Sequence, residues 1–348
     1  GLGVGSFTSI YSVVDSVLLE PMPYEEPDEL AWVWRDYSDW FDITRGWLGG
    51  PDLAWMQEET GVFQGVSAVR SERMNLTARA GVEPQEVRTT ITSAGFFELL
   101  GVLPAFGRGF LPGEDHPDAT PVAVLTHELW VGSFGRVPGL VGREIYLNGQ
   151  ATTVVGILPE DFAFLMSASL GDPLPADLFL PLRIALANEG TRNGYLAGLV
   201  RVKKGVSRAQ VEGTLASVAD RVDEGWEGGE LRLHADPMKE SLVAEIRPAL
   251  TALLAAAGLL LLVLGANLAT LFLARASGRS QELAVRAALG GSRKAVAGSV
   301  LAEIALLALG GGLVGFLLSM WGTDLLAAFA ANRFPRADEI ALDWSGIT

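Results

Sequence analysis

The sequence contains no cysteine among its 348 residues. This absence excludes disulfide bonds, thiolate metal sites and cysteine nucleophiles. The sequence also lacks the Gly-Lys dipeptide of a phosphate-binding P-loop and the GxSxG motif of serine hydrolases. We therefore expect neither ATP hydrolysis through a P-loop nor ester hydrolysis through a nucleophile elbow.

Histidine is scarce, and the three histidines lie far apart in the sequence. The segment HELWV starts at His127 but has Val131 where the HExxH motif of zinc proteases requires a second histidine. The acidic runs EEPDE (25–29) and GEDHPD (113–118) lack EF-hand spacing, so we interpret them as solvated loop charges. The sequence thus predicts no metal site, no cofactor, no catalytic residue and no enzyme activity.

Basic residues are also few, with 26 Lys and Arg against 41 Asp and Glu, giving a net charge of −15. Because a phosphate backbone needs a basic surface, this balance argues against a nucleic-acid partner. One stretch departs from the trend. ARASGRSQELAVRAALGGSRKAV (274–296) holds five cations and one anion.

Two long apolar runs flank the basic stretch. Residues 250–274 carry no charge, and residues 295–321 carry one, Glu303. At about 1.5 Å rise per residue, each run can cross a hydrocarbon core of about 30 Å. We predict two transmembrane helices, the alternative being two buried helices of a large soluble domain. Gly311 and Gly315 form a GxxxG pair, which is typical of close helix packing in membranes.

A weaker apolar segment, residues 1–19, is interrupted by Asp15. We interpret it as the end of a first transmembrane helix, with a surface amphipathic helix as the alternative. Because the chain starts within this segment, we interpret it as a piece of a longer protein. The positive-inside rule places residues 275–294 in the cytoplasm and residues 20–248 and 322–348 outside, so we predict a multi-pass membrane protein with its large domain outside.

The outer region, residues 20–248, is predicted to be an α+β domain. The order strand, helix, strand at both of its ends predicts split βαβ units, with an inserted β-rich subdomain at about 84–192. Asn148 and Gly149 predict a tight hairpin turn, and Ser207 predicts a helix cap. Strands are predicted within 29–36, 61–70, 74–80, 83–92, 121–135, 143–158, 195–205 and 229–238, and helices within 51–60, 94–102, 121–135 and 206–225.

The segment QELAVRAALGGSRKAVAGSVLAEIALLALGGGLVGFLL resembles the FtsX-like permease domain of MacB-type ABC transporters. The upstream motifs TSAGFFELLGVLPAFGRGFLPGED and GREIYLNGQATTVVGILPEDFAF resemble the MacB-like periplasmic core domain and occur in the same order. The resemblance covers essentially the whole chain and is strongest to the duplicated permeases of acidobacteria, of which this chain would be the N-terminal half. Asp15 and Glu20 depart from the family, where Asn and Arg are common.

The resemblance implies a location in the bacterial cytoplasmic (inner) membrane. It also implies that the basic stretch 275–294 is a coupling loop that docks on a separate ATPase. The implied contact residues are Arg279, Glu282, Arg286 and Arg293. Glu282 and Arg286 stand four residues apart, which suits an ion pair within a short helix. From charge alone, anchors for the spans at lipid headgroups are the favoured interpretation of these cations, and it is the family pattern that favours docking.

The resemblance also implies a function, in which ATP hydrolysis by the separate ATPase moves the outer domain for efflux or export. This mode of action is called mechanotransmission. The implied partners are an ABC ATPase, a second permease half or copy, a periplasmic adaptor and the lipid bilayer. The alternative is an FtsX-like regulatory scaffold that controls cell-wall hydrolases. A third hypothesis, a hydrolase, is disfavoured by the missing nucleophile and metal motifs.

Overall fold

The computed structural model describes most of the chain up to residue 278, and all structural statements below refer to these residues. By contacts within the chain, Pro21–Leu242 form one compact unit, and Gly1–Glu20 with Val243–Thr348 form a second. The described residues are 24–38, 43–77, 84–164, 175–187, 194–223, 231–244 and 247–278, with Met22, Met166 and Gly310.

The first unit contains most of the regular structure. Its strands are β1 (Leu30–Tyr37), β2 (Ile43–Gly46), β3 (Phe63–Thr77), β4 (Gln85–Thr92), β5 (Phe106–Gly107), β6 (Val122–Leu125), β7 (Glu144–Leu147), β8 (Gln150–Ile157), β9 (Leu178–Pro181), β10 (Ala197–Val202) and β11 (Arg232–Pro237). The helices of the chain are α1 (Gly50–Glu58), α2 (Phe96–Leu100), α3 (His127–Phe134), α4 (Arg208–Asp223), α5 (Met238–Ala244) and α6 (Arg247–Gly278).

Within the described residues, the strands join in one 11-stranded sheet with the order β11-β1-β10-β3-β4-β9-β6-β8-β5. Strand β2 pairs with β1, and β7 pairs with β3 and β8. The pairs β4–β9 and β6–β8 are parallel, and the other strand pairs are antiparallel.

The split βαβ units predicted at both ends of the domain are confirmed. Strands β1 and β3, joined through α1, lie on either side of β10 and are both antiparallel to it. Strands β10 and β11, joined through α4, lie on either side of β1 in the same way. The chain therefore has a mixed α/β domain, as predicted, while the bounds of the inserted subdomain and of the other domains stay predictions.

Two turn signals in the sequence are also confirmed. Asn148 and Gly149 connect β7 to β8 with φ angles of 48° and 81°, the left-handed values of a tight hairpin turn. Ser207 caps the start of α4, because its hydroxyl accepts from the backbone N of Gln210 over 3.4 Å and its own backbone N donates to Gln210 Oε1 over 2.9 Å. One prediction was wrong, because the strands expected at 61–70 and 74–80 are one strand, β3.

Strand β1 is buried on both faces of the sheet, which explains its continuous apolar sequence. Ala31 and Val33 lie in a core with residues of α1 and α4. Leu30, Trp32 and Trp34 point to the opposite face, into a second core. The second core is rich in aromatic rings, contributed by Tyr24, Phe96, Phe97, Phe110, Phe162, Phe164 and Phe179.

Helix α6 belongs to the second unit and is of a different kind. Its stretch Thr251–Leu271 has a mean hydropathy of 2.3 and is long and apolar enough to cross a membrane. Most of its described leucines are exposed, including Leu262 at 70%. The helix continues through Gly278, four residues into the predicted loop 275–294. The predicted spans 1–19 and 295–321 lie outside the described residues, apart from Gly310.

Candidate functional site

The site residues predicted from the sequence are not among those that the structure describes. This holds for the predicted ATPase contacts and for the predicted helix-packing glycines, so these assignments stay predictions. The residues concerned are Arg279, Glu282, Arg286, Arg293, Gly311 and Gly315. The candidate site in the described domain is a set of contacts that holds the first and last strands of the domain in place. It lies at the end of the sheet where β1 begins and β11 ends.

The first and last strands of the domain are hydrogen-bonded neighbours. Strands β1 and β11 pair antiparallel, with Ala31 opposite Pro237 and Asp36 opposite Arg232. Because β1 starts where β11 ends, the chain arrives at and leaves the domain at adjacent positions. We call this end of the sheet the root of the domain.

Both connections at the root are anchored in the aromatic core. On the arriving side, Met22, Tyr24 and Leu30 are buried there. On the departing side, Met238 at the start of α5 is fully buried in the same core. The Tyr24 hydroxyl also donates to the carbonyl of Ala163 over 2.8 Å. The residues before β1 and those after β11 therefore pack against the same aromatic core, which resists movement of either segment.

Arg201 on β10 fastens the leading loop, residues 24–29, to the sheet. It lies opposite Leu30 in the strand register and is 5% exposed. Its guanidinium donates to the carbonyls of Glu25 and Glu26, over 2.6 and 3.1 Å, and to the Glu29 carboxylate over 3.0 Å. Hydrogen bonds from a charged donor are worth about 1.5–3 kcal/mol each, so this contact is strong.

The same guanidinium connects the loop to helix α2. Arg201 Nε donates to the carbonyl of Leu99 over 2.8 Å, and the backbone N of Glu25 donates to the carbonyl of Leu100 over 3.1 Å. Gly101 ends α2 with a φ of 71°, and a Cβ at this position would overlap the Cβ of Glu25. Glycine is thus required here for both backbone conformation and space.

A second cation, Lys204, holds the outer side of the leading loop. Its amino group lies 2.8 Å from Glu26 Oε1 and 3.9 Å from Glu29 Oε1. The hydrogen bond from Lys204 and its charge lower the pKa of Glu26 below its ordinary value. Glu26 itself has a φ of 43°, an uncommon value for a residue with a side chain. We infer that the two cations hold this strained backbone in place.

The far end of β1 is fixed by a buried ion pair. Arg35 Nε and Nη2 donate to Asp52 of α1 over 2.7 and 2.9 Å, and both side chains are at most 1% exposed. The backbone N of Gly49 and the hydroxyl of Tyr37 complete the network. Burial lowers the pKa of Arg35, but the charge of Asp52 and the hydrogen bonds to Asp52 and Tyr37 together outweigh this effect, and the net direction is upward. Strand β1 is therefore fastened at both ends.

A cleft of about 430 Å³ opens beside β2, lined by Tyr37, Ile43, Arg45, Gly46, Trp47 and Gly194. Its one guanidinium is already engaged, because Arg45 stacks 4.3 Å above the Trp34 ring and lies 3.2 Å from Asp236. No group of three or more His, Asp or Glu side chains suited to a metal ion occurs within the described residues.

Sequence reasoning missed Arg201 and misjudged its partners. The acidic run at 25–29 was expected to be solvated, yet Glu29 is 16% exposed and paired with Arg201. A signal was present, since Arg201 interrupts the otherwise apolar strand AGLVRV, and a buried arginine requires partners. Nothing local identified those partners, which lie more than a hundred residues away.

Comparison with known proteins gives two matches to family models. A model described as the MacB-like periplasmic core domain matches residues 1–218, more than half of the chain. A model described as the FtsX-like permease C-terminal domain matches residues 254–347. None of the curated proteins compared with the chain matches it.

Solved structures similar to the chain include three domains of bacterial proteins. One is a domain of a protein proposed to be a permease, from Porphyromonas gingivalis, with 16% identity, a TM-score of 0.47, and coverage of 62% of this chain and 92% of that chain. The extracellular domain of the ABC-type transporter YknZ from Gram-positive bacteria has 12% identity, a TM-score of 0.44, and coverage of 60% and 99%. The periplasmic region of MacB from Actinobacillus actinomycetemcomitans has 13% identity, a TM-score of 0.43, and coverage of 68% and 97%.

Proposed function

Because the chain belongs to the MacB/FtsX family of permeases, we propose that it is the permease subunit of a MacB-type ABC transporter. Members of this family are embedded in a membrane, carry a periplasmic domain and generally work with an ATPase. In the proposed mechanism, a separate ATPase hydrolyses ATP and the resulting movement is passed to the periplasmic domain. That movement drives efflux or export, and the chain itself catalyses no reaction.

The observation that carries this proposal is the position of the two connections at the root. Since β1 and β11 are hydrogen-bonded along six residue pairs, from Ala31–Pro237 to Asp36–Arg232, they move as one body. Arg201 adds the leading loop and β10 to that body. A displacement that reaches either connection would therefore be passed to the whole sheet.

The input side of the mechanism is the predicted coupling loop. Arg279, Glu282, Arg286 and Arg293 would contact the ATPase on the cytoplasmic face, and helix α6 would carry the movement towards the domain. A continuous helix suits this role, because α6 runs through 32 residues without interruption. At about 1.5 Å per residue it is about 48 Å long, which exceeds the thickness of a hydrocarbon core of about 30 Å.

The test is affinity purification of the full-length protein from its own membranes, with mass spectrometry of the proteins that remain bound. We expect an ABC ATPase to be bound to the unaltered protein and to be lost from the Arg286→Glu variant. Arg333→Glu makes the same charge change in the segment predicted to lie outside, and it should retain the ATPase. Transport and ATPase activity should be lost together in Arg286→Glu.

Other outcomes would change the conclusion. If no ATPase is bound to the unaltered protein, the transport proposal is withdrawn. A cell-wall hydrolase bound together with the ATPase would favour the regulatory scaffold. Loss of the ATPase from both variants would show a general effect of charge and would remove the specific role of the coupling loop.

A further inference from the structure

Six strands of the domain form a closed ring. Neighbouring strands pair in the order β3, β4, β9, β6, β8 and β7, and β7 pairs with β3 again. The strand directions agree around the ring, because four of its pairs are antiparallel and two are parallel. A sheet that closes on itself in this way is a small β-barrel.

One buried cluster of side chains takes members from every strand of the ring. We call this cluster the ring core, and its strand residues are Leu76, Val87, Ala123, Leu125, Ile145, Leu147, Val154 and Leu178. Because side chains alternate between the two faces of a strand, a cluster shared by all the strands marks one common face. The ring therefore has a packed inner face, to which each strand contributes.

The ring closes where the hairpin of β7 and β8 meets β3. In the strand pairing at this seam, Leu76 lies opposite Leu147 and Thr77 lies opposite Tyr146. By comparison, β3 and β4 pair along eight residues. The closing seam is thus short in the part of the chain that the structure describes, so each further hydrogen bond across it has weight.

Asn148 extends the seam by one more residue pair, and it does so with its side chain. In a regular antiparallel ladder, residues of a hydrogen-bonded pair exchange both backbone bonds. The first bond is regular, since the backbone N of Asn148 donates to the carbonyl of Asn75 over 2.9 Å. The return bond runs from the backbone N of Asn75 to Asn148 Oδ1, also over 2.9 Å. The side-chain oxygen of Asn148 therefore takes the place of a backbone carbonyl.

The hairpin turn explains why a side chain is needed at this position. Asn148 has a φ of 48°, a left-handed value outside the extended geometry of a strand. Position 148 thus has two requirements, a left-handed backbone and an acceptor on a short side chain. Glycine meets the first requirement alone, whereas asparagine and aspartate meet both.

We propose that Asn148 is the clasp that closes the ring, and that it fastens the β7–β8 hairpin to the strand leading to the root. Strand β3 is continuous over Phe63–Thr77, and its first part pairs with β10, which contains Arg201. With the clasp closed, the hairpin moves together with β3. With the clasp open, the hairpin moves independently of the root. The inference concerns the domain alone and does not depend on transport.

Hydrogen exchange of the full-length protein in lipid nanodiscs, measured by mass spectrometry, tests the clasp. Asn148→Gly keeps the left-handed turn but removes the acceptor. We expect exchange within 74–77 and 144–148 to become about 2- to 10-fold faster, the equivalent of one lost hydrogen bond, while exchange in β1 and β11 stays the same. Asn148→Asp retains the acceptor and should exchange no faster than the unaltered protein.

Two control variants separate the hydrogen bond from side effects of the substitution. Gln150→Gly introduces a glycine on the other side of the turn and leaves the bond intact. Asn75→Ser changes the partner residue, which takes part in the seam through its backbone. Unchanged exchange in Asn148→Gly would overturn the proposal. Equal acceleration in either control, or acceleration that extends to β1 and β11, would overturn it as well.

Cross-linking tests the ring independently of Asn148, since the sequence has no cysteine. Thr77 and Tyr146 are directly opposed, at a Cα separation of about 5.5 Å that a disulfide can span. Thr77→Cys with Tyr146→Cys should therefore cross-link on mild oxidation. Thr77→Cys with Glu144→Cys, two residues along β7, should give a several-fold lower yield. Equal yields would overturn the closed ring and the clasp together.

The same cysteine pair keeps the clasp testable if Asn148→Gly alone does not accumulate. In Asn148→Gly that carries Thr77→Cys and Tyr146→Cys, the disulfide replaces the clasp. Reduction should then accelerate exchange at the seam more than it does when Asn148 is present. The same acceleration in both backgrounds would mean that Asn148 does not hold the ring closed, and the proposal would fail.

Discussion

The folded domain and helix α6 use leucine in opposite ways. In the domain, Leu53 and Leu199 are fully buried, whereas in α6 Leu259 is 64% and Leu262 is 70% exposed. A continuous apolar surface of this kind is unfavourable in water but not in contact with lipid tails. The comparison indicates that the surface of the domain suits water and that the surface of α6 suits lipid. The change from one to the other occurs between α5 and α6. Substitutions should therefore have different effects in the two regions.

The largest effect is expected for Asp52→Ala, which leaves the guanidinium of Arg35 buried without a counter-charge. Removing one partner of a buried ion pair costs about 3–5 kcal/mol. We expect a corresponding loss in thermal unfolding followed by tryptophan fluorescence. The control is the double variant Arg35→Met with Asp52→Leu, which buries no charge and should recover much of the loss. No recovery would show that Asp52 acts mainly on the start of α1.

A matched pair of leucine substitutions tests the comparison itself. Leu53→Ala, in the core between β1 and α1, should destabilise the domain by about 2–5 kcal/mol. Leu262→Ala removes the same atoms from an exposed position on α6 and should leave the unfolding of the domain unchanged. Equal losses in the same unfolding measurement would mean that α6 is buried in the native assembly at this position.

The next effect concerns the root. Arg201→Met keeps the length of the side chain but removes every hydrogen bond that it donates. Because Glu25 and Glu26 are exposed, water can replace part of this bonding, and we expect a net loss equivalent to about one such bond, about 1.5–3 kcal/mol. The leading loop should also become accessible to proteases. Lys204→Met removes a neighbouring cation that is 72% exposed, and the melting temperature should not change measurably. If both variants behave alike, Arg201 does not hold the loop through its buried bonds.

The smallest effect is a pH dependence in the stability of the domain, to which α6 does not contribute because it contains no carboxylate. Burial raises the pKa of Glu114, but hydrogen bonds from Arg108 and the backbone N of Leu111, with the charge of Arg108, outweigh it and lower the pKa. Because the folded pKa is below its ordinary value of 4.5, this stabilisation is complete above pH 4.5 and is lost as the pH falls further.

The Glu114→Gln variant measures this contribution. Between about pH 5 and pH 3 its melting temperature should fall less than that of the unaltered protein, by an amount equivalent to under about 1 kcal/mol, because Arg108 is 40% exposed and water screens the pair. Glu144→Gln, at an exposed position, is the control for the change in net charge. An identical fall in all three proteins would contradict a role for Glu114.

Local patterns predicted much of the domain because they report local physics. Asn148-Gly149 predicted the left-handed turn, and Ser207 predicted the start of α4. The order strand, helix, strand predicted the two split units. Strand β3 was divided wrongly because Ser71, Glu72 and Arg73 interrupt its apolar pattern. Beyond Arg70 the strand pairs with β4, where Arg73 lies 3.2 Å from Glu86, so polar residues suit it.

The site at the root could not be predicted in the same way. Arg201 binds mainly backbone carbonyls, and any residue can supply a carbonyl, so the sequence of the leading loop gives no sign of the contact. Its partners also lie 102 to 176 positions away along the chain. Contacts of this type depend on the finished sheet. The predicted contacts on the ATPase side, in contrast, came from family resemblance and await experiment.

The adjacency of Ala31 and Pro237 has a consequence for how such a protein can be built. Directly opposed antiparallel residues have Cα atoms about 4.5–5.5 Å apart, so a few residues suffice to join the two connections. The residues between them could therefore be cut out or exchanged for another domain without changing the distance between the two connections. Grafting would require a replacement domain whose own ends are equally close.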